Sequence, residues 1–285
     1  MTLRVTFDTN VLDLACRPER FPKDARQPRL ARVHQALQDG EILGFYPVTM
    51  LTIEGIENAD RAAVFRSTTS TVEEGPPTIT RAADVPSAVQ AKIGDRDIEA
   101  VSMTIRTSQP ARKALHPEVV NRMVAAKALG VRVLKAPPRI DAFRIDDPTG
   151  EYYLANGEDE AALETWLNTI QAAAHAIEQR GLGYAQVRSL GQTLAARSPA
   201  ELWFRALEHA EDIHEKRAVQ RAFSEWADGD ALASHIAYGL DVFCSADVGN
   251  SNARDSVLDP INRAWLTATY GIQFMTFDDL LANLP

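Results

Sequence analysis

The chain has 285 residues, 45% of them hydrophobic, enough for one large globular domain, or a domain with an insertion, and an ordinary core. Its formal net charge of -9 excludes a generally basic nucleic-acid binder, yet leaves room for a nuclease whose positive charge comes from bound metal ions and a local basic patch. There is no signal-peptide pattern and no apolar run near 18 residues, so no membrane contact and a cytoplasmic location are expected.

Leu3, Val5 and Phe7 alternate with polar residues and predict a first strand that ends in Asp8. Thr9 or Asn10 is expected to cap a short helix over residues 10–16, stopped by Pro18 and Pro22. Leu30, Val33, Ala36 and Leu37 recur at helical spacing up to Gly40, residues 42–46 read as a second strand, and Thr49 starts a helix running through Val64. This alternation favours a parallel sheet with flanking helices. Residues 67–77, rich in Ser, Thr, Gly, Pro and Glu, read as a surface linker. Extended stretches follow near residues 78–81 and 98–106, then a helix near 117–129, a strand at 131–134, and loop with edge strand over 141–157. From Glu158 the pattern is mainly helical, with breaks near residues 181–183 and 198–199. Residues 230–238 read as a compact helix, 241–245 as a buried strand followed by Asp247, 258–270 as a helix, 272–275 as a last strand and 277–284 as a closing helix. Cys16 and Cys244 have no motif spacing and are expected to be reduced, partly buried thiols. Trp166, Trp203, Phe204 and Trp226 read as helix-packing residues rather than base-stacking platforms.

Asp8 and Asp247 each follow an apolar strand. Parallel strands place such ends on one sheet edge, where ligands bind in open α/β sheets. The helix before the Asp247 strand runs antiparallel to it, so its start at Asp228-Gly229-Asp230 is expected at the same edge. Glu54 lies about one turn into the helix after the second strand. Carboxylates from four separate segments thus point to one region. Such a cluster needs raised pKa values or a cation, and Mg2+ or Mn2+ with oxygen ligands is the simplest match. His235 reads as a packed or surface histidine.

Phe7-Asp8-Thr9-Asn10-Val11-Leu12 resembles the opening motif of PIN-domain nucleases. Thr52-Ile53-Glu54-Gly55, the segment from Asp230 through Asp247, and Phe274 through Leu280 resemble later segments of that family, in the same order. The resemblance covers about residues 1–66 and 205–285 and leaves 67–204 as a mainly helical α+β insertion with no assigned role. It implies a three-layer α/β/α fold with a central, mostly parallel sheet, and metal-dependent cleavage of RNA to a 3′-hydroxyl and a 5′-phosphate. Asp8, Glu54, Asp230 and Asp247 would be metal ligands, with Asn10 and Ser245 orienting them. The choice between Asp228 and Asp230 stays open, because Asp228 shares a face with Leu232 and Asp230 with Ala233 and Ala237. Glu57 is an alternative to Glu54.

Arg17, Arg20, Lys23, Arg26, Arg29 and Arg32 oppose only Glu19 and Asp24, the clearest basic excess in the chain. Arg17, Arg26 and Arg29 are expected to contact RNA phosphates, unless the arginines pair with surface acids. DNA is an alternative substrate. A homodimer and an antitoxin-like protein partner, as in a toxin–antitoxin pair, are further expectations. Two other readings compete. One is a haloacid-dehalogenase-like phosphatase with Asp8 as nucleophile, although Asn10 stands where that family has a second acid. The other is a catalytically inactive PIN-like module that binds RNA or protein.

Overall fold

The computed structural model describes residues 2–55, 61, 69–108, 115–139, 145, 147–197, 202–247 and 256–284. Five strands, β1 (Leu3–Phe7), β2 (Ile42–Pro47), β7 (Arg132–Leu134), β8 (Val242–Cys244) and β9 (Gln273–Met275), form one sheet in the order β7-β2-β1-β8-β9. Every neighbouring pair is parallel. The chain is therefore an α/β protein with a central parallel sheet flanked by helices.

Alternation along the strands explains why both faces are covered. Val5, Phe7, Val242 and Cys244 enter the core shared with α1 (Thr9–Cys16), α2 (Gln27–Gln38) and α5 (Pro117–Ala128). Phe243, between two of them, packs instead with Leu232 of α9 (Ile213–Ala237) and Leu266 of α10 (Pro260–Tyr270). Thr6 lies 2.8 Å from His235 Nδ1, so this histidine is a buried packing residue, as expected. Cys16 and Cys244 are both buried and free. A closing helix, α11 (Phe277–Ala282), starts at Thr276 with a capping box to Asp279.

The chain divides into two units, Met1–Phe65 with Ala114–Pro285, and Arg66–Lys113. The separate unit is thus narrower than the expected 67–204 insertion. Val119, Met123 and Ala126 of α5 bury in the main core, β7 extends the main sheet, and α6 (Glu160–Gln179) and α7 (Tyr184–Ala195) pack on α9. In the smaller unit, β3 (Thr69–Glu74) pairs antiparallel with β6 (Met103–Ser108), and β4 (Thr78–Thr80) with β5 (Ile98–Ala100). A helix, α4 (Ser87–Ile93), lies between β4 and β5 in the chain. The expected linker over 67–77 is therefore largely a strand; Thr and Val favour extended backbone, so this composition serves a strand as well as a loop.

Two helices differ from expectation. The one starting at Thr49 is a single turn, α3 (Thr49–Thr52), and residues 56–60 and 62–68 lie outside the described residues. The compact helix expected over 230–238 is the end of α9, which begins at Ile213 behind an Asp212 cap. Gly229 does not break α9. It is a close-approach position, where an added Cβ would stand 3.1 Å from Gly183 Cα, at the start of α7. Gly183 has φ +61°, a conformation that L side chains rarely adopt. Gly229→Ala is expected to be net destabilising by roughly 1 kcal/mol, the clash with the constrained Gly183 backbone outweighing the ~1 kcal/mol that alanine otherwise gains over glycine in a helix interior. A thermal melt checks it, and an unchanged melting temperature would refute the packing argument.

The aromatic residues near α9 are packing residues. Trp226, Trp203 and Phe204, the latter two in α8 (Trp203–Ala206), cluster with Val187 and Leu194 of α7, and Trp166 packs against Ala233. Among the described residues no helix is long and apolar enough to cross a membrane.

Candidate active site

Asp8 directly follows β1 and caps α1 itself. Its Oδ1 accepts the Thr9 N–H at 2.7 Å, and its carbonyl accepts the first helical N–H groups. The cap was expected at Thr9 or Asn10; because Asp8 takes that role, both of those side chains are available elsewhere. Thr9 donates its hydroxyl to Glu54 Oε2. Asn10 Nδ2 donates to Asp8 Oδ2 at 3.1 Å, and Asn10 Oδ1 accepts the Ala246 N–H at 2.9 Å. Ser245, directly after β8, donates to the same Asp8 oxygen at 2.6 Å while accepting the Asp247 N–H at 2.9 Å. Asn10 and Ser245 thus lock the Asp8 carboxylate between the ends of two adjacent strands.

Asp228 and Asp230 face different surroundings. Asp230 is buried and accepts from Arg139 Nη2 at 2.7 Å, Arg139 Nε at 3.2 Å and Trp226 Nε1 at 2.7 Å. Arg139 also bridges to Glu178 of α6 at 2.8 Å and lies over the Tyr184 ring. Asp230 is therefore a structural ion-pair residue, which corrects its expected place among the ligands. Asp228 is half-buried on the other side of the helix. Burial first, then the charges of Asp8, Glu54, Glu225 and Asp247, push its carboxyl well above the ordinary carboxylate range. Burial likewise raises Asp8, which also feels Asp247. Glu54 is pushed up to about 7 by burial and by the Asp8 charge. Asp8, Glu54, Asp228 and Asp247 therefore form one electrostatic cluster at the carboxyl edge of the sheet, and no described basic side chain forms an ion pair with Asp8, Glu54 or Asp228.

Two further groups at this edge escaped the sequence reading. Glu225 lies one turn before Asp228 and accepts the Val257 N–H at 2.9 Å, and its (i, i+3) spacing from Asp228 was the available signal. Arg61 is buried, donates from Nη1 to Ser224 at 3.0 Å, and its Nε has no partner among the described residues. Its positive charge bears on Glu54, as does that of Arg122.

The basic segment is largely neutralised. Arg17 is buried and bound to Asp13 at 2.6 Å and Glu118 at 2.8 Å, so its expected role as an RNA contact is corrected to a core ion pair. Arg26 pairs with Asp24 at 2.9 Å, and exposed Arg29 with Asp278 at 3.5 Å.

Hard carboxylate oxygens supported by hydroxyl and amide groups suit Mg2+ or Mn2+ in donor type. Among the described residues no three His, Cys, Asp or Glu side chains are gathered into a ready-made metal set. The four acids are linked by charge across space, and Ser245 also joins Asp8 to the Asp247 backbone.

Glu54 carries a pH consequence. A carboxyl ordinarily at 4.5 and raised to about 7 in the fold makes the folded chain hold an extra proton between those values. Its contribution therefore lowers stability as pH rises from about 4.5 through about 7. Melts in EDTA are expected to show wild type losing stability relative to Glu54→Gln across that window. A constant difference would contradict the burial of this acid.

Comparison with models of known protein families gives no match for this chain, and no curated protein matches it.

Proposed function

We propose that this chain is a PIN-like, metal-dependent nuclease, in the first instance a ribonuclease that hydrolyses RNA phosphodiester bonds. The observation that carries the reading is the mutual charge coupling of Asp8, Glu54, Asp228 and Asp247 at the carboxyl edge of a parallel sheet, with Ser245 and Asn10 both donating to Asp8. The order of sequence motifs adds the family resemblance. The covered sheet, with helices on both faces, is compatible with the three-layer α/β/α arrangement of that family.

Asp8, Glu54, Asp228 and Asp247 would hold Mg2+ or Mn2+, which when bound supplies a water of lowered pKa and a polarised phosphate. Ser245 and Asn10 fix the Asp8 carboxylate and leave its ionised form stabilised by two donors. Thr9 engages Glu54 Oε2 and leaves Oε1 to hold the ion or position the attacking water. Arg61 and Arg122 supply positive potential beside Glu54, where a phosphate would arrive in an otherwise acidic site.

The test is cleavage of labelled single-stranded RNA and DNA by the full chain in Mg2+, Mn2+ and EDTA. RNA cleavage that requires the divalent ion and leaves 5′-phosphates is expected. No cleavage of either polymer under any of these conditions would overturn the reading, and cleavage of DNA alone would replace RNA as the substrate.

A further inference from the structure

Arg263 brings a cation to the acid edge from a segment that supplies none of the acids. It lies in the first turn of α10, and its Nη1 donates to the Asp247 carbonyl at 3.2 Å. Its guanidinium lies over the Phe274 ring of β9, 4.6 Å from the centroid. β8 and β9 are neighbours in the sheet, so the helix that leads into β9 delivers Arg263 to the loop that follows β8. The Asp247 backbone is thus held at both of its polar groups. Ser245 Oγ accepts its N–H at 2.9 Å, and Arg263 donates to its carbonyl. Ser245 in turn donates to Asp8, which ties this clamp to the centre of the acids.

The clamp uses only part of the guanidinium. Arg263 forms no ion pair among the described residues, and the charges of Asp247 and Asp279 act on it across space. The side chain is half-buried, and its Nε and Nη2 make no hydrogen bond among the described residues. In contrast to Arg61 Nε, neither of them is buried without a partner. These two nitrogens share one edge of the planar group, and such an edge pairs side-on with two oxygens of a phosphate. Stacking on Phe274 covers a face and leaves the edge uncovered. The charge is a disadvantage for a metal, because a cation beside Asp247 repels Mg2+ or Mn2+. Its benefit lies with an anion. Arg17, Arg26 and Arg29 are taken up by Asp13, Glu118, Asp24 and Asp278, so a chain of net charge -9 needs its phosphate contacts elsewhere.

We propose that Arg263 forms a phosphate subsite beside Asp247, which takes a phosphate of a single-stranded nucleic acid through Nε and Nη2. The Asp247 carbonyl and the Phe274 ring hold the guanidinium before the ligand arrives, so little side-chain entropy is lost on binding. The contact positions the strand against the acids without reading its bases. The polymer's identity as RNA rests on the nuclease reading; the phosphate contact does not.

The experiment titrates the full wild-type chain, Arg263→Gln and Arg263→Lys with labelled single-stranded RNA and DNA in EDTA, by fluorescence anisotropy over about 50 to 200 mM KCl. Wild type is expected to bind both polymers. Arg263→Gln, with an unchanged melt, is expected to bind about tenfold more weakly at the lowest salt. It should also flatten the plot of log affinity against log salt by about 0.7, the value of one phosphate contact on a single strand. Arg263→Lys keeps the charge and loses the two-pronged edge, so it should keep the wild-type slope and bind about threefold more weakly. An unchanged slope in Arg263→Gln, or an equal loss of slope in both variants, would overturn the subsite and leave Arg263 as a clamp on Asp247 alone. A wild type that binds neither polymer would overturn it as well. Salt-dependent binding through Arg263 without cleavage in Mn2+ would sink the nuclease reading and leave the subsite standing; cleavage in Mn2+ with an unchanged slope would do the reverse.

Discussion

Asp8→Asn is expected to lower metal-dependent RNA cleavage on the order of 10^3-fold, while the variant melts at the same temperature as wild type or above it. The two halves of this expectation have one cause. Asp8 is 6% exposed and close enough to Asp247, Glu54 and Asp228 for their charges to bear on one another. Keeping it ionised without a cation opposes folding, because burial and neighbouring acids both favour the neutral form. Asparagine removes that charge and retains an oxygen for the Thr9 N–H, so the α1 cap survives, and relief of the buried charge offsets the Asn10 donor that then meets an amide N–H in place of Asp8 Oδ2. What it lacks is the second anionic oxygen that Ser245 and Asn10 hold in place. The measurement pairs an initial-rate assay in Mn2+ with a melt in EDTA. Full activity in the variant would end the metal-ligand assignment, and trapping of phosphate on Asp8 in the wild type would replace it with a nucleophile.

Asp228→Asn and Asp230→Ala are expected to fail in opposite ways. The first should lose cleavage as Asp8→Asn does and melt no lower than wild type, since it removes a half-buried charge surrounded by acids. The second should lose about 3–5 kcal/mol of stability, the range for stripping one partner from a buried ion pair. Roughly a 5–8 °C drop in melting temperature follows for a chain of this size. Asp230→Ala leaves Arg139 with Glu178 alone and leaves the Trp226 indole N–H without its acceptor. Melts of both variants beside their rates decide the matter. An inactive but fully stable Asp230→Ala would return Asp230 to the site and undo the division of labour on α9.

The parallel sheet was legible in the sequence because its strands are short apolar runs separated by clear helical periods, and because Asp8, Ser245 and Asp247 follow such runs. The distinction between Asp228 and Asp230 was not. Both neighbour Gly229, and a glycine between two acids in sequence looks like a helix start. Only its packing against Gly183 shows why α9 continues through it. The partners that divide the two acids, Arg139 and Glu178, come from segments far away in the chain and carry no local pattern. Arg17 misled for a related reason. Its charge reads as part of a basic surface run, whereas Asp13 and Glu118 pull it into the protein. Composition reports how many charges a segment carries, and tertiary structure decides which of them face water.

The Arg139–Asp230 pair also sets an angle. Residues two apart on a helix are separated by roughly 200° of rotation. By fastening Asp230 to Arg139, and through it to Glu178 on α6, the fold fixes the azimuth of α9, and that azimuth decides where Asp228 points. A small roll of the helix would carry Asp228 away from Asp8 and Glu54 before any strand moved. The pair therefore acts as a rotational key for a carboxylate that it never touches.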